Sequence, residues 1–294
     1  MSLESSVTQL VEEASALIDT FKGKKSEIDA AINQALTGAI KKLPYSQTKT
    51  VGANGDFETI NEAIDYFQNY QTKFVANSDS TRFGIRLLSG FIVREQIIAN
   101  WGLDLSSISI ESEDEEVLID CNYLTKEYAG SKSFLTALRN SALPVINTLF
   151  VMGESGKTTE HHGCSIRIGS QVVFQPGAGI KNAGGDGLSV LTQSKAYAYA
   201  AIFSGAARDG ISANQGGYIV CDWSMAKECG ANGYVAKFGS TIVMNSANGV
   251  IDSDGVESSS DITCAYGSTI IANGATGGLS LASNTLTSSG IIYK

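Results

Sequence analysis

Proline is scarce, with 3 in 294 residues. A chain so rarely interrupted suits long ladders of backbone hydrogen bonds, and despite its 31 glycines it is not collagen-like. Charged residues are also few, 17% against 43% hydrophobic, the reverse of the balance that keeps a chain disordered. Basic residues number 21 against 30 acidic ones, a net charge of −9. The resulting field repels phosphate backbones, so no nucleic-acid partner is expected. No apolar run approaches the roughly 20 residues that span a bilayer, so no membrane insertion is expected. Near the start stand Glu4, Glu12, Glu13 and Asp19, where a signal peptide has a basic start and an apolar centre, and the expectation is synthesis in the cytoplasm without one. The five cysteines, Cys121, Cys164, Cys221, Cys229 and Cys264, are odd in number and lack CxxC spacing. They fit neither a disulfide framework nor a zinc site and read as buried, reduced thiols. His161 and His162 are the only histidines. Their surroundings lack a zinc-ligand spacing, which predicts an exposed loop and no metal.

What is present begins with helical periodicity. Val7, Leu10, Ala14, Leu17 and Phe21 fall at intervals of 3, 4, 3 and 4, the seam of a helix that packs on copies of itself. After Gly23 the pattern resumes out of step with Ile28, Ile32, Ala35, Leu36, Ala39, Ile40 and Leu43, and Pro44 ends it. Residues 1–48 thus read as a helical stalk that trimerises, with a helix lying on its own domain as the alternative. Residues 51–70, VGANGDFETINEAIDYFQNY, hold a glycine-rich turn and then Thr59 with Glu62 as a capping box. Ile60, Ala63, Ile64 and Phe67 share one face of the short capping helix predicted near 59–70. Beyond it, residues 83–90, 108–112 and 117–121 are β-rich runs without alternating helices. Between the last two, Asp114, Glu115 and Glu116 read as a solvated turn.

A repeat fixes the architecture. Asp186-Gly187-Leu188, Asp209-Gly210-Ile211, Asn232-Gly233-Tyr234 and Asp254-Gly255-Val256 recur at spacings of 23, 23 and 22. A second column starts at Gly169, Gly216, Gly239 and Gly267, 47, 23 and 28 residues apart; the first gap is about two repeats and the last needs a short insertion. A unit of this length with short apolar strands and no helix must stack on its neighbours. Residues 49–294 therefore read as a parallel β-helix, with Asp, Asn and Gly at left-handed corners.

Residues 51–67, VGANGDFETINEAIDYF, resemble the opening segment of pectate-lyase-like β-helices. IRLLSGFIVREQ, ISIESEDEEVLID, LPVINTLFVMG and the ending STIIANGATGGLSLASNTLTSSGIIYK resemble tail fibre or tailspike proteins of bacteriophages and prophages, over about Thr50 to Lys294. The resemblance implies an all-β chain, a right-handed, single-stranded parallel β-helix with an N-terminal α-helical stalk, assembled as a homotrimer. It also implies attachment to other tail proteins of the virion and host recognition through a bacterial cell-surface polysaccharide or other receptor, without a cofactor. Some members also cleave that polysaccharide by hydrolysis or lyase chemistry.

The repeat places candidate residues for both activities. If Ile219 and Cys221 point inward, alternation sends Tyr218, Val220 and Asp222 outward and aligns Tyr199, Asp222 and Asn245 in one outer column. Tyr197 and Trp223 are near in sequence, and aromatic faces with carboxylate and amide groups suit a sugar. A solvated face or a subunit contact is the plainer alternative. Glycoside hydrolysis needs two carboxylates, for which Asp209, Asp222, Asp252 and Asp254 are candidates, although turn chemistry explains Asp209 and Asp254. Residues 153–158 lack the first glycine of a phosphate loop, and no GxSxG esterase elbow occurs. Adhesion is the favoured function; a depolymerase of the same glycan and a purely structural tail component are the alternatives.

Overall fold

The computed structural model describes residues 3–37, 41–43, 47–72, 83–128, 130–153, 161–247, 260–273, 285–287 and 290–293. The chain divides into two compact units, Met1–Lys42 and Leu43–Lys294.

The first unit is built on helix α1 (Leu3–Thr37), which Gly23 does not interrupt. A glycine inside a helix costs only about 1 kcal/mol, and Val7, Ala14, Phe21 and Ile28 lie seven residues apart, so the seam continues in one register rather than falling out of step. Val7, Leu10, Leu17, Phe21 and Ile28 are all exposed. The helix does not run on to Pro44: Lys41–Leu43 is a strand, and residues 38–40 and Pro44 lie outside the described part. No helix among the described residues is long and apolar enough to cross a membrane.

The second unit is mostly β. Apart from two short antiparallel pairs, Glu127–Tyr128 with Ser131–Ala137 and Thr285–Thr287 with Gly290–Tyr293, its strands pair in parallel with the strand one coil further on, not with their sequence neighbours, and that pairing builds a parallel β-helix. The longer sheet runs from Thr48–Val51 through Phe83–Leu87, Ile108–Ile119, Val145–Met152, Gln171–Phe174, Lys195–Ala198, Tyr218–Val220, Thr241–Val243 and Thr269–Ile271 to Gly290–Tyr293. A second sheet stacks Ile97–Ala99, Ser131–Ala137, His162–Ile166, Leu188–Leu191, Ile211–Asn214, Asn232–Ala236 and Ser260–Cys264. A third face has only short contacts, with Ile202 bridging Gly179 and Met225.

Alternation fills the interior. Val172, Ala196, Ile219, Ile242 and Ile270 are register partners on the longer sheet, and all are buried. On the second sheet Leu188, Ile211 and Tyr234 occupy one inner column. Tyr234 satisfies its hydroxyl there by donating to the Ser224 carbonyl at 3.0 Å, which lets a polar aromatic residue replace an aliphatic one. The five cysteines are buried free thiols, and burial pushes Cys221 up to about 12.

Helix α2 (Ile60–Gln68) buries Ile60, Ala63, Ile64 and Phe67, as its pattern predicts, and Thr59 and Glu62 form the capping box. Phe67 stacks on Phe83 at 4.7 Å, joining the helix to the coil it covers.

The corners differ from expectation. Gly187 and Gly210 do not have left-handed backbones; a Cβ on Gly187 would lie 2.7 Å from the Gly210 carbonyl oxygen, so close approach of coils requires glycine there. The left-handed corners precede the longer sheet, as Ile168-Gly169, Thr192-Gln193, Gln215-Gly216, Phe238-Gly239 and Tyr266-Gly267. Gln193 supplies the repeat missing between Gly169 and Gly216. Across the 28-residue spacing that holds the short insertion, Asn232 pairs with Ser260, so the Asp186 column continues at Ser260 rather than at Asp254, which lies outside the described residues. Nor is the run from Asp114 to Glu116 a turn. It lies within Ile108–Ile119, where the register shifts between Glu111 and Glu116. Asp114 accepts from Gly90 N at 2.7 Å and Ser89 Oγ at 2.8 Å, and Glu116 pairs with Lys181 at 2.7 Å, so these carboxylates bind neighbouring segments.

Candidate functional site

The outer surface of the longer sheet gathers the candidate ligand-binding residues. Inward Ala196 and Ala198 leave Lys195 and Tyr197 facing out, and one coil on Tyr218 and Val220 take the matching places. One column runs from Val173 through Tyr197, Val220, Val243 and Ile271 to Tyr293. Tyr199, Asp222 and Asn245 form the next one, tied by Ala200 N to Asp222 O at 2.8 Å and Trp223 N to Asn245 O at 3.0 Å.

Beyond this column the backbone turns through a left-handed corner made by Ala200, Trp223 and Ser246. Trp223 stands at it 61% exposed beside Tyr199 at 52%. Tyr197, Tyr218 and Tyr293 are also exposed. The face thus combines apolar rings with Asp222, Asn245, Thr241 and Thr269, and such a mixture can stack on a sugar ring while exchanging hydrogen bonds with its hydroxyls. Asp222 is less free than alternation alone suggests. Its Oδ1 accepts from Asn245 N at 2.7 Å, tying one coil to the next. Tyr293 escaped sequence reasoning because its column is aligned only once the insertion before Ser260 is taken into account.

Asp209 lies elsewhere. It enters the second sheet on the coil after Asp186, and the two residues are only 7% and 4% exposed. Asp209 accepts from Asn232 Nδ2 at 2.7 Å. Burial, with the Asp186 charge as a lesser contribution, raises its carboxyl above the usual range. Asp186 has Oδ1 3.6 Å from Arg208 Nε and Oδ2 3.5 Å from His162 Nδ1, and among the described residues no hydrogen bond reaches its buried Oδ1. This column has acid-base groups without the open surface a polymer needs. Asp252 and Asp254 lie outside the described residues.

The histidines are not in an exposed loop. His161 is 3% exposed, with Nε2 3.0 Å from the Leu124 carbonyl oxygen. Burial lowers its pKa. His162 opens a buried strand, and its Nδ1 accepts from Asp186 N at 3.0 Å. Among the described residues no group of three or more His, Cys, Asp or Glu side chains is placed to hold a metal.

No family model and no curated protein matches the chain. Among solved structures it is similar to pectin methylesterase PemA from Erwinia chrysanthemi, at 14% identity over 83% of this chain and 82% of that one, with a TM-score of 0.32.

Proposed function

We propose that this outer face binds a bacterial cell-surface polysaccharide, and that the chain is a phage or prophage tail fibre or tailspike protein acting in host recognition. The observation that carries the reading is the set of exposed rings on one sheet, Tyr197 and Tyr199 on one coil, Tyr218 and Trp223 on the next, and Tyr293 three coils further on. Coils repeat at about 4.8 Å, close to the length of one pyranose residue, so an extended glycan along the rod can set successive residues against the rings of the first two of these coils. The resemblance of residues 50–294 to tail proteins supplies the biological setting. Right-handed coiling follows the usual hand of parallel crossovers, and the exposed seam of α1 supports assembly as a homotrimer with other tail proteins as neighbours. Adhesion is favoured over depolymerisation because, of the described candidate acids, Asp222 alone stands on this face and hydrolysis needs two.

The test is incubation with surface polysaccharides from candidate hosts, following retained complex and new reducing ends. Binding without fragments is expected. Trp223→Ala and Tyr199→Ala should each weaken binding about tenfold, or about 1.4 kcal/mol, with the melting temperature nearly unchanged. Binding that neither variant weakens would remove this face from the reading. Fragments would instead assign the chain to depolymerases.

A further inference from the structure

The first coils carry a cavity of about 640 Å³ that the outer face does not include. One lip is the loop from Gly52 to Gly55, the other the turn from Leu88 to Phe91, and Glu95 and Arg94 also line it. Both lips are fixed before any ligand arrives. Gly55 N donates to Gly52 O at 2.9 Å, and Asp56 accepts from Thr50 N at 2.9 Å and from Lys49 Nζ at 2.8 Å. On the other side Asp114 from the next coil accepts from Ser89 Oγ and Gly90 N. Gly52 has φ 129°, and a Cβ there would lie 3.4 Å from the Phe91 ring, so the loop packs closely against that wall. The inner Glu95 carboxylate accepts from the backbone N–H groups of Ile60 and Asn61, which occupies it in holding α2.

The remaining chemistry selects the ligand. Glu58 lines the cavity, is exposed, and its carboxylate has no partner among the described residues. Arg94 offers guanidinium donors, loosely held with Nε 3.8 Å from Asp120. An anion would meet Glu58 and a cation would meet Arg94. A hydroxyl both accepts and donates, so a neutral polyol satisfies both charges, while Phe91 and Leu88 present an apolar wall to its C–H bonds. We propose that this cavity binds one neutral sugar residue, its hydroxyls held by Glu58 and Arg94 and its C–H face laid on Phe91. The choice of a sugar as partner rests on the polysaccharide-binding reading above; the site itself is separate, several coils from Trp223.

Saturation-transfer NMR of the full chain with millimolar glucose, galactose, mannose or N-acetylglucosamine tests this, with glucosamine and glucuronate as charged counterparts. At least one neutral sugar should show transfer. Glu58→Gln and Arg94→Ala should each weaken that binding about tenfold, and transfer kept at full strength in both variants would overturn the proposal. Both side chains are exposed, and a melting curve on each variant checks its fold; either variant alone suffices. Silence from every neutral sugar overturns the proposal, as does preference for a charged one, or binding lost in Trp223→Ala and kept in Glu58→Gln. Silence here together with polysaccharide binding sensitive to Trp223→Ala sinks the cavity alone and leaves the outer face standing.

Discussion

Asp209 shows how one position of a repeat acquires a cost of its own. Its carboxyl is raised by burial and by Asp186, against the opposing hydrogen bond from Asn232 and the charges of Lys237 and Arg208. A folded-state value above the unfolded one means that the proton is held more tightly in the fold. This contribution to stability is fully present below the ordinary value of 3.8 and is lost as the pH rises through the raised one. Asp209→Asn keeps an oxygen to accept from Asn232 and removes the buried charge. It should melt at a higher temperature than the parent near neutral pH, and the gain should disappear as the pH falls to about 3; an equal gain at both values would show that charge is not the cause. At this scale the sequence is only partly legible. The recurrence of Asp186, Asp209 and Asn232 is visible in the spacing, whereas burial depends on what the adjoining coils place around them. Ile168 and Gln193 are left-handed without being glycine, and no local signature marks them.

Between coils, a ladder of serines does the work that side chains of a core usually leave to the backbone. Ser141, Ser170, Ser194, Ser240 and Ser268 follow the left-handed corners and are buried. Ser141 N donates to Ser170 Oγ at 3.1 Å, Ser170 N to Ser194 Oγ at 3.2 Å, and Ser240 N to Ser268 Oγ at 3.2 Å. Gly217 interrupts the ladder because a Cβ there would collide with the Val190 carbonyl oxygen. Ser194→Ala leaves the buried N–H of Ser170 without its acceptor and should destabilise the fold by about 1–3 kcal/mol, read from chemical denaturation. A loss well below that would mean that another group takes the bond. The strands themselves were legible because each coil must return an apolar residue to one inner column, as Val172, Ala196, Ile219 and Ile242 do. Registers across insertions were not: Ser260, rather than Asp254, meets Asn232 because the extra residues fall before the strand. The run from Asp114 to Glu116 misled for a related reason, since a strand that bulges can carry consecutive acids outward when neighbouring segments supply donors.

If the outer face binds a polysaccharide as proposed, the question for the whole chain is how a weak surface becomes a useful adhesin. Rings on a solvent-facing sheet contribute modestly one by one, and a repetitive polysaccharide offers many equivalent places to bind. Linking several copies makes the second and third contacts intramolecular, which raises apparent affinity by about 10²–10⁴ without new chemistry. In the proposed trimer the exposed seam of α1 would provide the link, with Val7, Ala14, Phe21 and Ile28 on one register and Leu10 and Leu17 between them. The helix was legible from spacing alone, and its continuity past Gly23 became clear only once it was seen unbroken. Light scattering should give a mass three times the 30.9 kDa chain. Leu17→Glu places a charge in the seam and should reduce that mass to a single chain. If avidity carries recognition, the same variant should bind a long polysaccharide about a hundredfold more weakly yet bind a short oligosaccharide of the same glycan with its parent's affinity. Equal losses for both ligands would place the seam's effect inside the binding face itself, and an unchanged mass would remove α1 from the assembly.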